Sequence, residues 1–302
     1  MEIENKAIYF KRGYLLKNFE LFHLRDKKNM QFEFHYHDFN KIIIFISGKV
    51  TYLIEGKAYQ LKPWDILLVN SNEIHKPLID AGETYERLVI WVNSSFLMNQ
   101  DNGKNTLLTC FALATQRKMN LLRLTPELLP IIKNILSELE DTNINQEFGS
   151  RILKNSLFLQ FIVYLNRISL GIENDKEQPD IQYDKTIARI LHYVNENLSE
   201  DLSMDKLSSV FFLSKYYLMH KFKQHTGYTL HNYILQKRLI AANALIKEGK
   251  SLTTACTESG FSDYSNFLRA FKKMFGLSPK KHVQLLLEQE KINKHNGRNL
   301  VL

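Results

Sequence analysis

Residues 218–227, LMHKFKQHTG, and residues 267–276, FLRAFKKMFG, are two copies of one pattern. Leu218, Phe222, Lys223 and Gly227 of the first answer to Phe267, Phe271, Lys272 and Gly276 of the second, all at one offset of 49 residues. Four positions at one offset make a repeat, not a coincidence of composition. In each copy the i, i+4 pair, Leu218 with Phe222 and Phe267 with Phe271, puts two apolar side chains on one helix face. The glycine that follows ends the helix, because it takes a left-handed cap without steric cost.

Working outward, each copy reads as a short helix, a turn and a second helix. LSMDKLSSV precedes a turn at Phe211 to Leu213, and Ser214 caps the helix that Gly227 ends. SLTTACTES leads to Gly260 and Phe261, with Ser262 or Asp263 as the cap and Ser278-Pro279 closing the unit. The faces opposite the apolar pairs carry Lys215, Tyr216, His220 and Lys223, then Ser265, Asn266, Arg269 and Lys273, all donors or cations. Between the copies, TLHNYILQKRLIAANALIKEG keeps helical spacing up to Gly249. About 16 helical residues span ~24 Å, enough to hold two recognition helices toward major-groove turns about 34 Å apart.

The stretch from Thr186 to Leu286 resembles the DNA-binding domain of the AraC/XylS family of bacterial transcription regulators. The residues that carry the likeness are Ser214, Tyr217, Leu218, Phe222-Lys223, Gly227, Arg238, Ala242, Leu245, Gly260-Phe261, Phe267, Arg269, Phe271-Lys272-Lys273, Gly276 and Ser278-Pro279. The chain departs from the family where Ala255-Cys256 stands in place of Ile-Ala and Ser259 in place of a Val, smaller or more polar side chains that predict a less tightly packed second unit. By matching positions, the resemblance implies that Tyr216, Met219 and His220 face base edges, with Tyr264, Ser265, Asn266, Leu268 and Arg269 doing so in the second unit. Ser214, Lys215, Lys223, Lys272 and Lys273 are then expected on phosphates.

Charge agrees with this reading. The 302 residues carry a net charge of +8, and from Tyr183 onward there are 18 Lys and Arg against 10 Asp and Glu. The first 182 residues hold 22 of each, so the whole excess lies in the C-terminal part, an electrostatic footprint for double-stranded DNA. Cys110 and Cys256 are the only cysteines, which excludes a disulfide framework. No apolar run reaches membrane-spanning length and the N-terminus has no signal-like core, so no membrane partner and a cytoplasmic location are expected.

The N-terminal part alternates differently. KIIIFISGKVTYLIEGKAYQL, PWDILLVN and ERLVIWVN read as short strands punctuated by Gly48 and Gly56. They predict a β-barrel or jelly roll over residues 1–100. FHYHDFNKIIIFISG resembles the first motif of the cupin superfamily: His35, His37 and Gly48 match, while Lys41 stands at the glutamate position. His75 matches the second motif's histidine. Three imidazoles form a donor set for iron, manganese or zinc. A lysine cation in the carboxylate's place argues against a metal, so no cofactor is expected. His35, His37, Tyr52, His75 and Trp91 are the candidate effector pocket, with MEIENKAIYFKRGYL either an arm over it or a first strand.

From Thr125 the period becomes helical, and FGSRILKNSLFLQFIVYLNRI carries a wide stripe of Ile152, Leu153, Leu157, Phe158, Phe161, Ile162 and Leu165. The stripe serves either packing on the chain's own barrel or a homodimer seam, and the family resemblance favours the seam. The expected organisation is α+β: a cupin-like sensor at 1–100, a helical dimerisation segment at 101–170, a linker at 171–182, an all-α double helix-turn-helix at 183–290 and a tail at 291–302. The expected function is effector-responsive, sequence-specific transcription regulation. Its partners are DNA, a small-molecule effector for which the family implies a sugar, a second copy of the chain, and RNA polymerase if the protein activates. No Gly-rich phosphate loop, Gly-x-Ser-x-Gly turn or Cys-x-x-Cys pair is present. The alternatives left open are a metal-dependent cupin enzyme and a regulator whose N-terminal domain only dimerises.

Overall fold

The computed structural model describes residues 15, 17–26, 35–80, 82–101, 106–144, 147–171, 181–182 and 184–284. Residues 1–14, residues 27–34, most of the expected linker and the tail lie outside the described residues. The chain divides into two compact units, Met1–Gln182 and Tyr183–Leu302.

In the first unit, β1 (Phe19–Asp26), β7 (Tyr85–Val92), β2 (Asn40–Ser47), β5 (Ile66–Val69) and β8 (Leu121–Leu122) form one sheet in that order. A second sheet runs β6 (His75–Ile79), β3 (Val50–Ile54), β4 (Lys57–Gln60), β9 (Ile181–Gln182), and every pairing is antiparallel. The strand β2 explains why its sequence is a near-continuous apolar run. With period two, Ile42 and Ile44 face the helices while Ile43 and Phe45 face the second sheet, and both sets are buried. The expected barrel is thus two facing sheets around a shared core of Ile43, Phe45, Tyr52, Ile54, Tyr59 and Leu67. Gly48 turns β2 into β3 at φ +109°, where a Cβ would lie 2.6 Å from the Thr84 carbonyl oxygen.

The outer face of the larger sheet is covered by α1 (Ser94–Met98), α2 (Thr109–Gln116), α3 (Leu128–Ile144) and α4 (Ser150–Gly171). The stripe of α4 splits: Leu157, Phe158, Phe161, Ile162 and Leu165 are buried on the sheet, with Phe158 stacked on Phe19 at 3.9 Å. Ile152 and Leu153 are instead 72% and 52% exposed.

The second unit contains α5 (Lys185–Glu196), α6 (Met204–Phe211), α7 (Lys215–Thr226), α8 (Leu230–Lys247), α9 (Leu252–Glu258) and α10 (Tyr264–Phe275), then a helical stretch at 279–284. Each of the six opens on a capping side chain: Asp184, Ser203, Ser214, Thr229, Ser251 and Asp263. Gly227 and Gly276 end α7 and α10 at φ +77° and +76°. Leu218, Phe222, Phe267 and Phe271 are fully buried, as the repeat required.

The central helix α8 serves both units of the repeat. Tyr233 packs against Phe222 of the first, while Leu239, Ala242 and Ile246 join Ala255, Phe267 and Phe271 of the second. Between them the Arg238 guanidinium donates to the carbonyls of Leu198 and Glu200 at 2.9 and 2.7 Å. The second unit is not loosely packed. Ala255, Cys256 and Ser259 are at most 2% exposed, and the Ser259 hydroxyl donates back to the Ala255 carbonyl, so its polarity is satisfied inside the helix.

Candidate nucleic-acid interface and effector site

Both recognition helices bury one face and offer the other. On α7, Tyr216, Met219, His220 and Lys223 are exposed, and the rings of Tyr216 and His220 stack with centroids 5.9 Å apart. On α10, Tyr264, Ser265, Asn266, Arg269, Lys272 and Lys273 are exposed, and Arg269 donates to the side-chain amide oxygen Oδ1 of Asn266 one turn earlier. Leu268 is half-buried against the core of the second unit, because at i+1 from Phe267 its side chain falls on the shoulder of the apolar stripe. Lys223, Lys272 and Lys273 form no ion pair among the described residues, whereas Lys215 is paired with Asp205. Lys221, which sequence reading passed over, lies half-buried against Asp184 at 2.8 Å and against the Tyr217 hydroxyl at 3.1 Å. It ties α7 to the cap of α5.

In the sheet unit His35, His37 and His75 come together. The ring of His75 lies 4.3 Å from that of His35 and 4.8 Å from that of His37, and His35 pairs with His75 through two backbone hydrogen bonds. Both His37 and His75 hold a carbonyl with Nδ1, those of Phe39 and Glu73, so each carries its proton there and turns a bare Nε2 inward. Burial, with Lys41 nearby, holds both imidazoles well below their ordinary pKa and therefore neutral. The Lys41 amine donates to Nε2 of His75 at 3.2 Å, which occupies the lone pair a metal would need. No group of three His, Cys, Asp or Glu able to hold a metal occurs among the described residues.

Lys41 and Arg87 are the side chains that motif reading undervalued. Strand alternation was the available signal: Lys41 shares parity with Ile43 and Phe45, and Arg87 with Tyr85 and Val89, so both point between the sheets. Arg87 reaches Asp26 at 2.6 Å and lies over the Tyr85 ring. Burial and the Arg87 charge lower the Lys41 amine to about 7. Tyr52 is buried 6.2 Å from His75, ring to ring, and burial raises its phenol well above the usual range. Trp91 packs with Phe22 and Phe39 in a separate aromatic cluster, so it borders this group rather than stacking within it. A surface groove of about 430 Å³ lies elsewhere, lined by Ile131, Asn134 and Glu138 of α3 with Leu157 and Gln160 of α4.

A duplicated helix-turn-helix unit joined to a sheet unit that buries His37, Lys41, His75 and Arg87 beside its apolar core defines a DNA-binding regulator with a sensory domain. The family models for an AraC-like ligand binding domain and for a helix-turn-helix domain match residues 20–162 and 207–284. The chain belongs to the AraC/XylS family of transcription regulators. It is similar to the HTH-type transcriptional activator RhaS of Enterobacter sp., 25% identical over 253 residues, 82% of this chain and 85% of that one. It is also similar to the probable transcriptional regulator LumQ of Photobacterium leiognathi, 26% identical over 254 residues, with 82% and 91% covered. Among solved structures it matches ToxT of Vibrio cholerae at 18% identity and a TM-score of 0.36, over 89% of this chain and 98% of that one. RhaS is named a transcriptional activator and LumQ a probable transcriptional regulator, so the metal-dependent enzyme left open by the sequence is set aside. No described helix is long and apolar enough to cross a membrane.

Proposed function

We propose that the chain is a cytoplasmic, carbohydrate-responsive activator that binds DNA as a homodimer through four recognition helices. The observation that carries the DNA reading is the pair of equivalent exposed faces on α7 and α10, each ending in lysines without an ion pair among the described residues. Tyr216, Met219 and His220, with Tyr264, Ser265, Asn266 and Arg269, meet base edges, and the exposed part of Leu268 meets groove wall or a thymine methyl. Arg269, steadied by Asn266, is suited to a guanine through two hydrogen bonds. Lys223, Lys272 and Lys273 hold phosphates together with the amides at Ser214. Lys215 joins them only by leaving Asp205.

The sheet unit, in which β8 and β9 complete the sheets begun within residues 1–100, takes the effector near His35, His37, Tyr52 and His75, with Trp91 at the margin. The helices within residues 101–170 supply the dimer seam and 183–290 the reader; the linker expected at 171–182 stops short of Ile181–Gln182, which pair with β4 in the second sheet. The likeness to a named activator supports activation, with RNA polymerase as the further partner. Selection from a random duplex pool, with excess non-specific DNA at physiological salt, tests the reader. Enrichment of one motif is expected; binding no tighter than to competitor DNA would sink the assignment. Thermal unfolding against sugars tests the sensor, and silence across the panel would favour a domain that only dimerises.

A further inference from the structure

We infer that the effector carries a carboxylate beside its hydroxyls: a sugar acid or similar hydroxy acid, its acid group seated on Lys41. This deepens the proposed sensor role and rests on it. Two buried cations, Lys41 and Arg87, point into the space between the sheets, and each is 8% exposed. Arg87 has Asp26, but no carboxylate reaches Lys41 among the described residues. The amine faces His75 and His37, both neutral, with Arg87 of β7 beyond and the phenols of Tyr52 and Tyr85 in the same interior. A buried ammonium without a counter-ion is costly, and an incoming anion removes that cost.

Two more atoms define the ligand. Among the described residues, Nε2 of His37 and the hydroxyl of Tyr85 are buried without a hydrogen-bond partner, the residues being 4% and 0% exposed. His37 has its proton on Nδ1, so Nε2 accepts and calls for a ligand O–H. The phenol of Tyr85 donates and calls for an oxygen. A carboxylate with a neighbouring hydroxyl supplies both, whereas a neutral sugar leaves the ammonium unmatched and a metal meets the Lys41 cation. In its free state the amine is about half protonated near pH 7, and the carboxylate holds the protonated form. Binding therefore takes up a proton, and affinity falls as pH rises above 7.

The test is thermal unfolding of the full chain at constant ionic strength with matched pairs: galacturonate against galactose, glucuronate against glucose, gluconate against sorbitol, lactate against propanediol. An acid should raise the melting temperature where its neutral match does not, and its Kd should weaken by up to about tenfold per pH unit above 7. Lys41→Met should abolish the response yet raise the melting temperature without ligand, since it removes a buried cation of similar length. A neutral member that works as well as its acid, or an acid response that survives Lys41→Met, overturns the carboxylate and leaves the sensor reading standing. No shift from any member overturns both.

Discussion

Arg269 and Lys223 lie on equivalent exposed faces, and their chemistry separates their roles. A guanidinium presents a planar fork matching guanine O6 and N7, and Asn266 limits the rotamers it samples. A lysine offers a point charge that any phosphate satisfies. Replacing Arg269 with Ala should cost about 1–3 kcal/mol on the best site and relax preference at one base pair. Lys223→Ala should weaken all sequences alike and flatten the salt slope by about one. Binding curves on a site and on single-base variants check this, and equal losses across all sequences from both changes would make Arg269 a phosphate contact. Gly260 answers to steric rules instead. At φ +88° its added Cβ would meet the Leu198 carbonyl oxygen at 2.1 Å and the Arg238 guanidinium nitrogen at 2.8 Å. Gly260→Ala should thus lose more than the roughly 1–3 kcal/mol of left-handed strain alone. Gly249, at φ +87° with nothing within 4 Å, is the control: its alanine variant meets strain without the clash. Equal urea midpoints for the two variants would show that the Leu198 loop yields.

At the scale of elements, α4 is where one sequence pattern held two answers. Its middle, from Leu157 to Leu165, covers the larger sheet, while Ile152 and Leu153 are exposed, as is Ile131 of α3, which lines the groove between the two helices. Such residues, on helices already packed by one face, suit an isologous seam. Ile152→Asp with Leu153→Asp should shift the chain from dimer to monomer in sedimentation while leaving its melting temperature nearly unchanged. An unchanged dimer would move the seam elsewhere. The periodicity of α4 was legible, but the division of its stripe was not, because helical spacing says which residues share a face and not where the covering sheet stops. The double helix-turn-helix was legible to its caps, since Ser214, Gly227, Asp263 and Gly276 act locally. The inter-sheet site was half legible. Motif spacing found the three histidines, yet the partners that change their chemistry, Lys41 and Arg87, depend on which strand faces bring them together. Ser259 misled for a related reason: its polarity predicted loose packing, and a hydrogen bond one turn back removed that consequence.

For the molecule as a whole, the charge asymmetry and the rigid connection within the reader set how DNA is held. All the net positive charge lies from Tyr183 onward, so non-specific affinity belongs to the second unit and should fall steeply with salt. Specificity depends on α8, an 18-residue helix, about 27 Å long, that is packed into both halves of the repeat. The clamp of Arg238 on Leu198 and Glu200, under Gly260, removes freedom at the junction. Two recognition helices fixed in this way can fit two groove segments only at one separation. A site with its half-sites one helical turn apart should therefore bind one chain through both units. Inserting about 5 base pairs between them turns the second half-site to the far side of the duplex. Affinity should then drop to that of a single half-site, and a further 5 should not restore it, because α8 cannot lengthen by a helical turn. Gel-shift titration of the three spacings with the dimer-disrupted variant separates this from effects of the second copy. Full affinity at the longest spacing would mean that the two units move independently, and the Arg238 junction would lose its proposed role.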